Sequence, residues 1–222
     1  CREKNLWFHI DGAHGAPAIF SEKYRERTRG MEKADSVVID YHKLGMAPGL
    51  NTAVIFRNGQ DSYETFAQKA SYLFSREDAP EWFNFAKRTV ECTKSMMGFH
   101  VYAMLYAHGP EIFDANVTAL YDLAKEFYAI LEKDPGMQVI HRPESNILCF
   151  RYYREDMAEN CLNTVNEKIH RHINEHGNHY IVKTKMGEAW YLRTSLMNPF
   201  TGTGELEKLV NRIKKEGDRL SN

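Results

Sequence analysis

Apolar and polar positions along the first 58 residues divide into short strand-like runs separated by polar segments. Three runs predict strands, at residues 6–11, 36–40 and 52–57, and the middle one is rich in β-branched side chains. Between the first two, the polar segment 21–29 predicts a helix with Ser21 as its cap. The order strand, helix, strand favours a βαβ unit in a mainly parallel sheet.

The rest of the chain is predicted to be helical at first and then to return to strands. Residues 82–108 lack proline and carry apolar side chains at three- and four-residue steps, and a second helix is predicted at 112–133. Beyond it, the pattern predicts strands at 137–141, 146–152, 180–184 and 188–195, with helices at 157–176 and 204–220. Two strand pairs, each followed by a helix, indicate a small α+β domain. We therefore predict two domains, at residues 1–120 and 121–222.

Charge and cysteine content narrow the class of protein. The 222 residues include 29 basic and 30 acidic side chains, a balance that gives no indication of a nucleic-acid-binding surface. No apolar run approaches the ~18 residues that a membrane span needs. The four cysteines, at positions 1, 92, 149 and 161, have no CxxC spacing. We therefore expect no metal site and a reducing, cytoplasmic compartment.

Charged residues gather where two of the predicted strands end. The first strand runs into Asp11 in "FHIDGAHG", and the second runs into "DYHK", which ends at Lys43. In open parallel sheets, ligands bind beyond the carboxyl ends of the strands. A lysine there can act as an amine nucleophile, and a carboxylate can keep a pyridinium nitrogen protonated, which are the two groups that pyridoxal phosphate requires. A surface lysine and a salt-bridged aspartate would give the same pattern.

The residues around these strand ends resemble a family motif. In that motif a strand ends in His-x-Asp-x-Ala, and Ala-Asp-Ser then leads through a second strand to Asp/Asn-x-His-Lys. The matching residues here are His9, Asp11 and Ala13; Ala34, Asp35 and Ser36; and Asp40, His42 and Lys43. The motif resembles that of the group II pyridoxal-phosphate-dependent amino acid decarboxylases, which include the aromatic amino acid, glutamate and diaminobutyrate decarboxylases. The segments "NILCFRYY" and "YLRTSLMNPFTGTGELEKLV" resemble later parts of the same family.

This resemblance implies a fold and a cofactor. The expected fold is α/β, that of a fold-type I pyridoxal-phosphate-dependent transferase. The chain would supply the second half of its mainly parallel large-domain sheet and a small C-terminal α+β domain. The expected cofactor is pyridoxal 5'-phosphate. Lys43 would form a Schiff base with it, Asp11 would pair with its ring nitrogen, and Ala13 would pack on one face of the ring.

The resemblance also implies supporting roles for four further residues. His42 would lie at the phosphate side and hold the lysine loop, and Asp40 would accept a hydrogen bond from the backbone or on the phosphate side. His9 is a candidate for the substrate site, with a buried structural histidine as the alternative. Arg193 is a candidate partner for a substrate carboxylate, with a structural ion pair as the alternative.

The implied activity is decarboxylation of an L-amino acid to an amine and carbon dioxide by a cytoplasmic homodimer. Two alternatives stay open: aldehyde-forming or other lyase chemistry on the same scaffold, and a non-catalytic fragment that serves folding or dimerisation. Many family members have a mobile-loop tyrosine that helps to protonate the carbanion after carbon dioxide leaves. After Tyr72 this chain has no tyrosine between Phe74 and Val101, which keeps the aldehyde-forming alternative open.

Family members place a further segment and most of the large domain before the point where this chain begins. That part holds the Gly/Ser-rich turn that binds phosphate and the histidine that stacks on the cofactor ring. We expect the chain to carry half of an active site and to work together with an N-terminal half of the same enzyme.

Overall fold

The structure is a computed structural model and describes residues 1–67, 82–91, 93–176 and 179–221. It forms two compact units, Cys1–Ala115 and Asn116–Asn222. In the described parts of the chain, no helix is both long enough and apolar enough to cross a membrane.

The first unit contains a three-stranded sheet in the order β1-β2-β3, formed by His9–Asp11, Ser36–Asp40 and Thr52–Phe56. Strand β1 runs parallel to β2, and Asp11 pairs with Val38. Strand β3 runs antiparallel to β2, so that Thr52 pairs with Asp40. The carboxyl ends of β1 and β2 therefore meet at one edge of the sheet, and β3 begins at that same edge.

Two expectations for the start of the chain are wrong. The first strand begins at His9 rather than at residue 6, and the side chains of Leu6 and Trp7 are 61% and 52% exposed. The segment 21–29 forms no α-helix, because its only buried side chains are Ser21 and Tyr24 and it offers no apolar face to pack. The connection from β1 to β2 consists of three 3₁₀ turns, at Ala16–Phe20, Arg25–Thr28 and Met31–Lys33.

The continuous helical segment expected at 82–108 is also wrong. A 3₁₀ turn occupies Phe85–Arg88, where the Asn84 side chain accepts the Ala86 N–H, and helix begins only at Gly98. Three of the residues that follow this turn are β-branched and lower the helix propensity slightly. The helices of this region are α1 (Gln60–Thr65), α2 (Gly98–His108) and α3 (Glu111–Glu132), and the last matches its predicted range within one residue.

The second unit contains an antiparallel four-stranded sheet. Its core includes Phe127, Phe150, Ile169 and Ile213, each with none of its surface exposed. The predicted strands and helices are confirmed within two residues at each end. They are β4 (Met137–Val139), β5 (Ile147–Tyr152), α4 (Glu159–His176), β6 (Val182–Met186), β7 (Ala189–Ser195) and α5 (Thr203–Ser221). The strands lie in the sheet in the order β4-β5-β7-β6.

Three asparagines attach α4 to backbone groups of neighbouring segments. Asn166 accepts the Tyr152 N–H at 2.9 Å and donates to the Tyr152 carbonyl at 2.9 Å. Asn174 makes the same pair of bonds with Ile181, at 3.1 and 2.9 Å. Asn163 accepts the N–H of residue 190 and donates to the carbonyl of residue 188, both at 2.8 Å. Each amide side chain thus satisfies one backbone donor and at least one backbone acceptor in the segment it contacts or in its own helix.

Candidate active site

A tight turn at the end of β1 joins this strand to the end of β2. The Gly12 N–H donates to the Ile10 carbonyl at 3.0 Å, and the Ala13 N–H donates to the Asp11 carboxylate at 3.1 Å. The Asp40 N–H then donates to the Ala13 carbonyl at 3.3 Å. A Cβ atom on Gly12 would lie 2.4 Å from the Ala16 Cβ, so the turn closes this tightly only because residue 12 has no side chain.

The chain folds back on itself directly after β2. The Lys43 N–H donates to the Asp40 carbonyl at 3.2 Å, and the Ala47 N–H donates to the Tyr41 carbonyl at 2.9 Å. Leu44 is fully buried and anchors this loop, while Met46 adopts a left-handed backbone conformation with φ +56°. The Lys43 side chain keeps 34% of its surface exposed.

The Asp40 carboxylate is the centre of a charged cluster. Its Oδ2 atom lies 2.8 Å from the Lys43 Nζ and 3.8 Å from the His42 Nε2. Its Oδ1 atom accepts the Thr52 hydroxyl at 2.5 Å. Burial by itself would raise the pKa of Asp40, but the hydrogen bonds from Lys43 and Thr52 outweigh it and hold that pKa below its ordinary value. Asp40 is therefore ionised at neutral pH.

Asn51 holds His42 from the side of β3. The His42 Nδ1 lies 3.0 Å from both the N–H and the carbonyl oxygen of Asn51. With the ring proton on Nε2, Nδ1 accepts the Asn51 N–H and the protonated nitrogen faces Asp40. Asn51 is buried, and its side chain donates to the Met97 carbonyl at 2.6 Å. This bond links the cluster to the segment that precedes α2.

Sequence reasoning missed both Asn51 and Thr52. They carry no motif, and they reach the cluster only because the antiparallel register places Thr52 opposite Asp40. The available signal was the strand predicted at 52–57, which begins shortly after the lysine loop. The sequence did not show that this strand would return alongside β2.

The predicted site residues of the first unit fall into two groups. Asp40, His42 and Lys43 form the cluster, and Ala13 is hydrogen-bonded to it through Asp40. Asp11 lies at the same edge on the neighbouring strand, is exposed, and makes no contact with Lys43 in the structure.

His9 and Arg193 lie elsewhere. The His9 Nδ1 is 2.7 Å from the Ser36 hydroxyl, and the exposed His9 side chain is not a buried core histidine. Arg193 belongs to the second unit, where it pairs with Cys149 across β5 and β7. Their roles toward a substrate stay predictions. Within the described residues, no group of three or more His, Cys, Asp and Glu side chains could hold a metal ion.

The residues at this edge fit pyridoxal phosphate. The Lys43 side chain is partly exposed, and its primary amine is paired with a carboxylate. The exposed Asp11 carboxylate lies at the end of the neighbouring parallel strand, and only one of its oxygens is bound to the Ala13 turn. An amine nucleophile and an anion for the ring nitrogen are the protein groups that this cofactor needs. Tyr72 and the first part of the predicted mobile loop, up to residue 81, lie outside the described residues.

Comparison with known proteins gives the same assignment. The family described as "Pyridoxal-dependent decarboxylase conserved domain" matches residues 1–153. An aromatic-L-amino-acid decarboxylase of Bacillus atrophaeus is 28% identical over 223 residues, which cover 100% of this chain and 46% of that protein. An L-2,4-diaminobutyrate decarboxylase of Acinetobacter baumannii is 21% identical, over 96% of this chain and 42% of that protein. The chain thus spans less than half the length of these relatives.

The fold is likewise similar to that of solved structures. The Oryza sativa TDC structure with PLP and tryptamine superposes with a TM-score of 0.88 at 18% sequence identity, over 100% of this chain and 46% of that chain. This likeness confirms the expected fold-type I α/β class, and the family match confirms the cofactor class. The motif resemblance, the strand-end geometry and the match over residues 1–153 agree, and the chain belongs to the pyridoxal-dependent decarboxylase family.

Proposed function

We propose that the protein containing this chain is a carboxy-lyase that uses pyridoxal phosphate to convert an L-amino acid into an amine and carbon dioxide. The observation that carries the proposal is the placement of Lys43 and Asp11 at the carboxyl ends of two adjacent parallel strands. Membership of the decarboxylase family supports it. When bound, the cofactor accepts the electron pair of the bond between the substrate Cα and its carboxylate carbon.

Each residue of the site has a distinct task in this proposal. The Lys43 amine would bind the cofactor covalently and would return to it at the end of the reaction. The Asp11 carboxylate would keep a proton on the ring nitrogen, because an anion beside that nitrogen favours its charged form. Ala13 would offer a small apolar contact to the ring. Asp40 and His42 would hold the lysine loop in place, a role supported by their contacts within the cluster.

The proposal extends to partners and location. The chain spans less than half of its relatives' length, and this supports an N-terminal half of the same enzyme as the source of the phosphate-binding turn. We also propose a homodimer in the cytoplasm. The side chain of the amino acid substrate is left open, and so is the aldehyde-forming alternative, which depends on residues after Tyr72.

Borohydride trapping tests the proposal. The protein expressed from its complete gene is incubated with pyridoxal phosphate and reduced with borohydride, and peptide mass spectrometry locates the pyridoxyl group. We expect the label on Lys43 and expect Lys43→Ala to lose both the label and carbon dioxide release, while the matched control Lys33→Ala keeps both. Labelling of another lysine in the wild-type protein, or turnover that survives in Lys43→Ala, would overturn the assignment.

Product analysis separates the alternatives. Mass spectrometry of the reaction with aromatic, acidic and basic L-amino acids distinguishes an amine from an aldehyde product. A protein that binds no cofactor and releases no carbon dioxide with any of these substrates supports the non-catalytic fragment instead.

A further inference from the structure

Thr52 makes a contact that the proposed function does not use. Its hydroxyl donates to the Asp40 Oδ1 at 2.5 Å, while the Asp40 Oδ2 accepts from Lys43 at 2.8 Å. Asp40 is 7% exposed, whereas Thr52 is an exposed residue at the start of β3. The hydroxyl thus occupies one side of a buried carboxylate whose other side binds the amine.

The two hydrogen bonds share one negative charge. A carboxylate that gives up part of its charge to a hydroxyl donor is a weaker base toward a second donor, because hydrogen bonds to the ionised form stabilise it. A protonated amine attacks no carbonyl group, so Lys43 must lose a proton before it can react. The strength of the contact between Asp40 and Lys43 therefore bears on how readily the amine becomes available.

We propose that Thr52 is a positioning residue that acts through Asp40: its hydroxyl orients the carboxylate and weakens its hold on the Lys43 ammonium, so that the amine is released for carbonyl attack. This inference rests on the proposed function for the role of Lys43, but the contact itself does not. The antiparallel register of β2 and β3, which pairs Asp40 with Thr52, maintains the contact.

The pH dependence of Lys43 reactivity would report on the charged and titratable groups around Asp40. Lys43 and His42 are the charged or titratable side chains that affect the pKa of Asp40, and both belong to its own loop. From β3 the only side-chain donor to Asp40 in the described residues is the neutral Thr52. The turn after β1 contributes the Ala13 carbonyl, which accepts the Asp40 N–H, while the Asp11 carboxylate on β1 does not contact Lys43.

Trace labelling of Lys43 with acetic anhydride tests the inference without any cofactor. The protein expressed from its complete gene is labelled across a range of pH, and peptide mass spectrometry gives the acetylated fraction of Lys43. For Thr52→Val we expect the midpoint of Lys43 labelling to rise by about half a pH unit or more. A hydrogen bond to a charged group is worth about one pKa unit to that group, here the Asp40 carboxylate, and part of this effect is passed on to its ion pair with Lys43. Thr52→Ala should give the same rise as a second removal of the hydroxyl.

Two controls separate this role from a general effect on folding. Thr52→Ser keeps the hydroxyl and should retain the wild-type midpoint. Thr65→Val removes a threonine hydroxyl that donates to the Asp61 carbonyl at 2.7 Å in the same unit, and it should also leave the midpoint unchanged. An unchanged or lowered midpoint in Thr52→Val and Thr52→Ala, or a rise in Thr52→Ser equal to theirs, would overturn the inference. Pyridoxyl trapping on another lysine would refute the proposed function and leave this measurement standing.

Discussion

Replacing Gly12 by alanine should disturb the turn that presents Asp11 and Ala13. The new Cβ would lie 2.4 Å from the Ala16 Cβ and 2.8 Å from the Val38 carbonyl oxygen. Neither neighbour can move freely, because Val38 is part of β2 and the buried Ala16 donates its N–H to the Gly12 carbonyl at 2.8 Å. The turn itself must therefore shift.

The cost follows from two opposing effects. Forcing an extra methyl group into a packed site costs about 1–3 kcal/mol. Loss of glycine's freedom in the unfolded chain returns about 0.4–1 kcal/mol. We expect a net loss of about 1–2 kcal/mol in the free energy of unfolding, which would lower the melting temperature by about 2–8 °C in a protein of about 150–250 residues and by less in a longer one.

Thermal unfolding measures the loss of stability, and pyridoxyl trapping on Lys43 measures how the shifted turn affects cofactor binding. The control is Gly15→Ala in the same connection, because a Cβ there meets no atom within 4 Å and the backbone φ of −87° suits alanine. That variant should match the wild-type protein or melt slightly higher, and it should trap the cofactor normally. Gly12→Ala should melt lower and trap it less well. Equal melting temperatures and equal trapping in the two variants would refute the steric argument.

Two further predictions concern charge and packing. Asp11→Asn retains an oxygen for the Ala13 N–H but loses the anion for the ring nitrogen, so turnover should fall by about 100-fold or more, and a rate within about threefold of wild type would remove Asp11 from the mechanism. Gly217→Ala would place a Cβ 2.3–2.6 Å from three ring atoms of the buried Tyr152, so the melting temperature should fall. Gly204→Ala in the same helix meets no atom within 4 Å and should melt no lower than wild type; a Gly217→Ala protein that behaves the same way would contradict this explanation.

The sequence predicted the elements best where packing and local preference agree. Helix α3 and the strands and helices of the second unit match their predicted ranges closely, because their apolar faces are buried in one core. The segment 21–29 was misassigned because helix-favouring polar residues alone do not stabilise a helix without a buried face. Residues 6–8 are apolar but lie outside β1, since an apolar pattern does not reveal where pairing with a neighbour begins.

From the sequence, only those residues of the candidate site that lie close to one another along the chain could be predicted. Asp40, His42 and Lys43 follow one another in a motif, and the structure places them in contact. Asn51 and Thr52 contact the same cluster from β3, and that depends on strand register, which the sequence does not state. Arg193 was predicted from its position in a motif. That position gives no information about how far the Arg193 side chain lies from a site in the other unit.

The three asparagines of α4 have a consequence for how this small domain tolerates change. Asn163, Asn166 and Asn174 bind peptide groups, which every residue except proline provides in full. The side chains at the contacted positions can therefore change without loss of these hydrogen bonds, as long as the new side chains still pack at their positions. An aspartate in place of any of the three would set a carboxylate oxygen against a carbonyl oxygen. Among relatives of this protein, we expect these helix positions to vary less than the positions they contact.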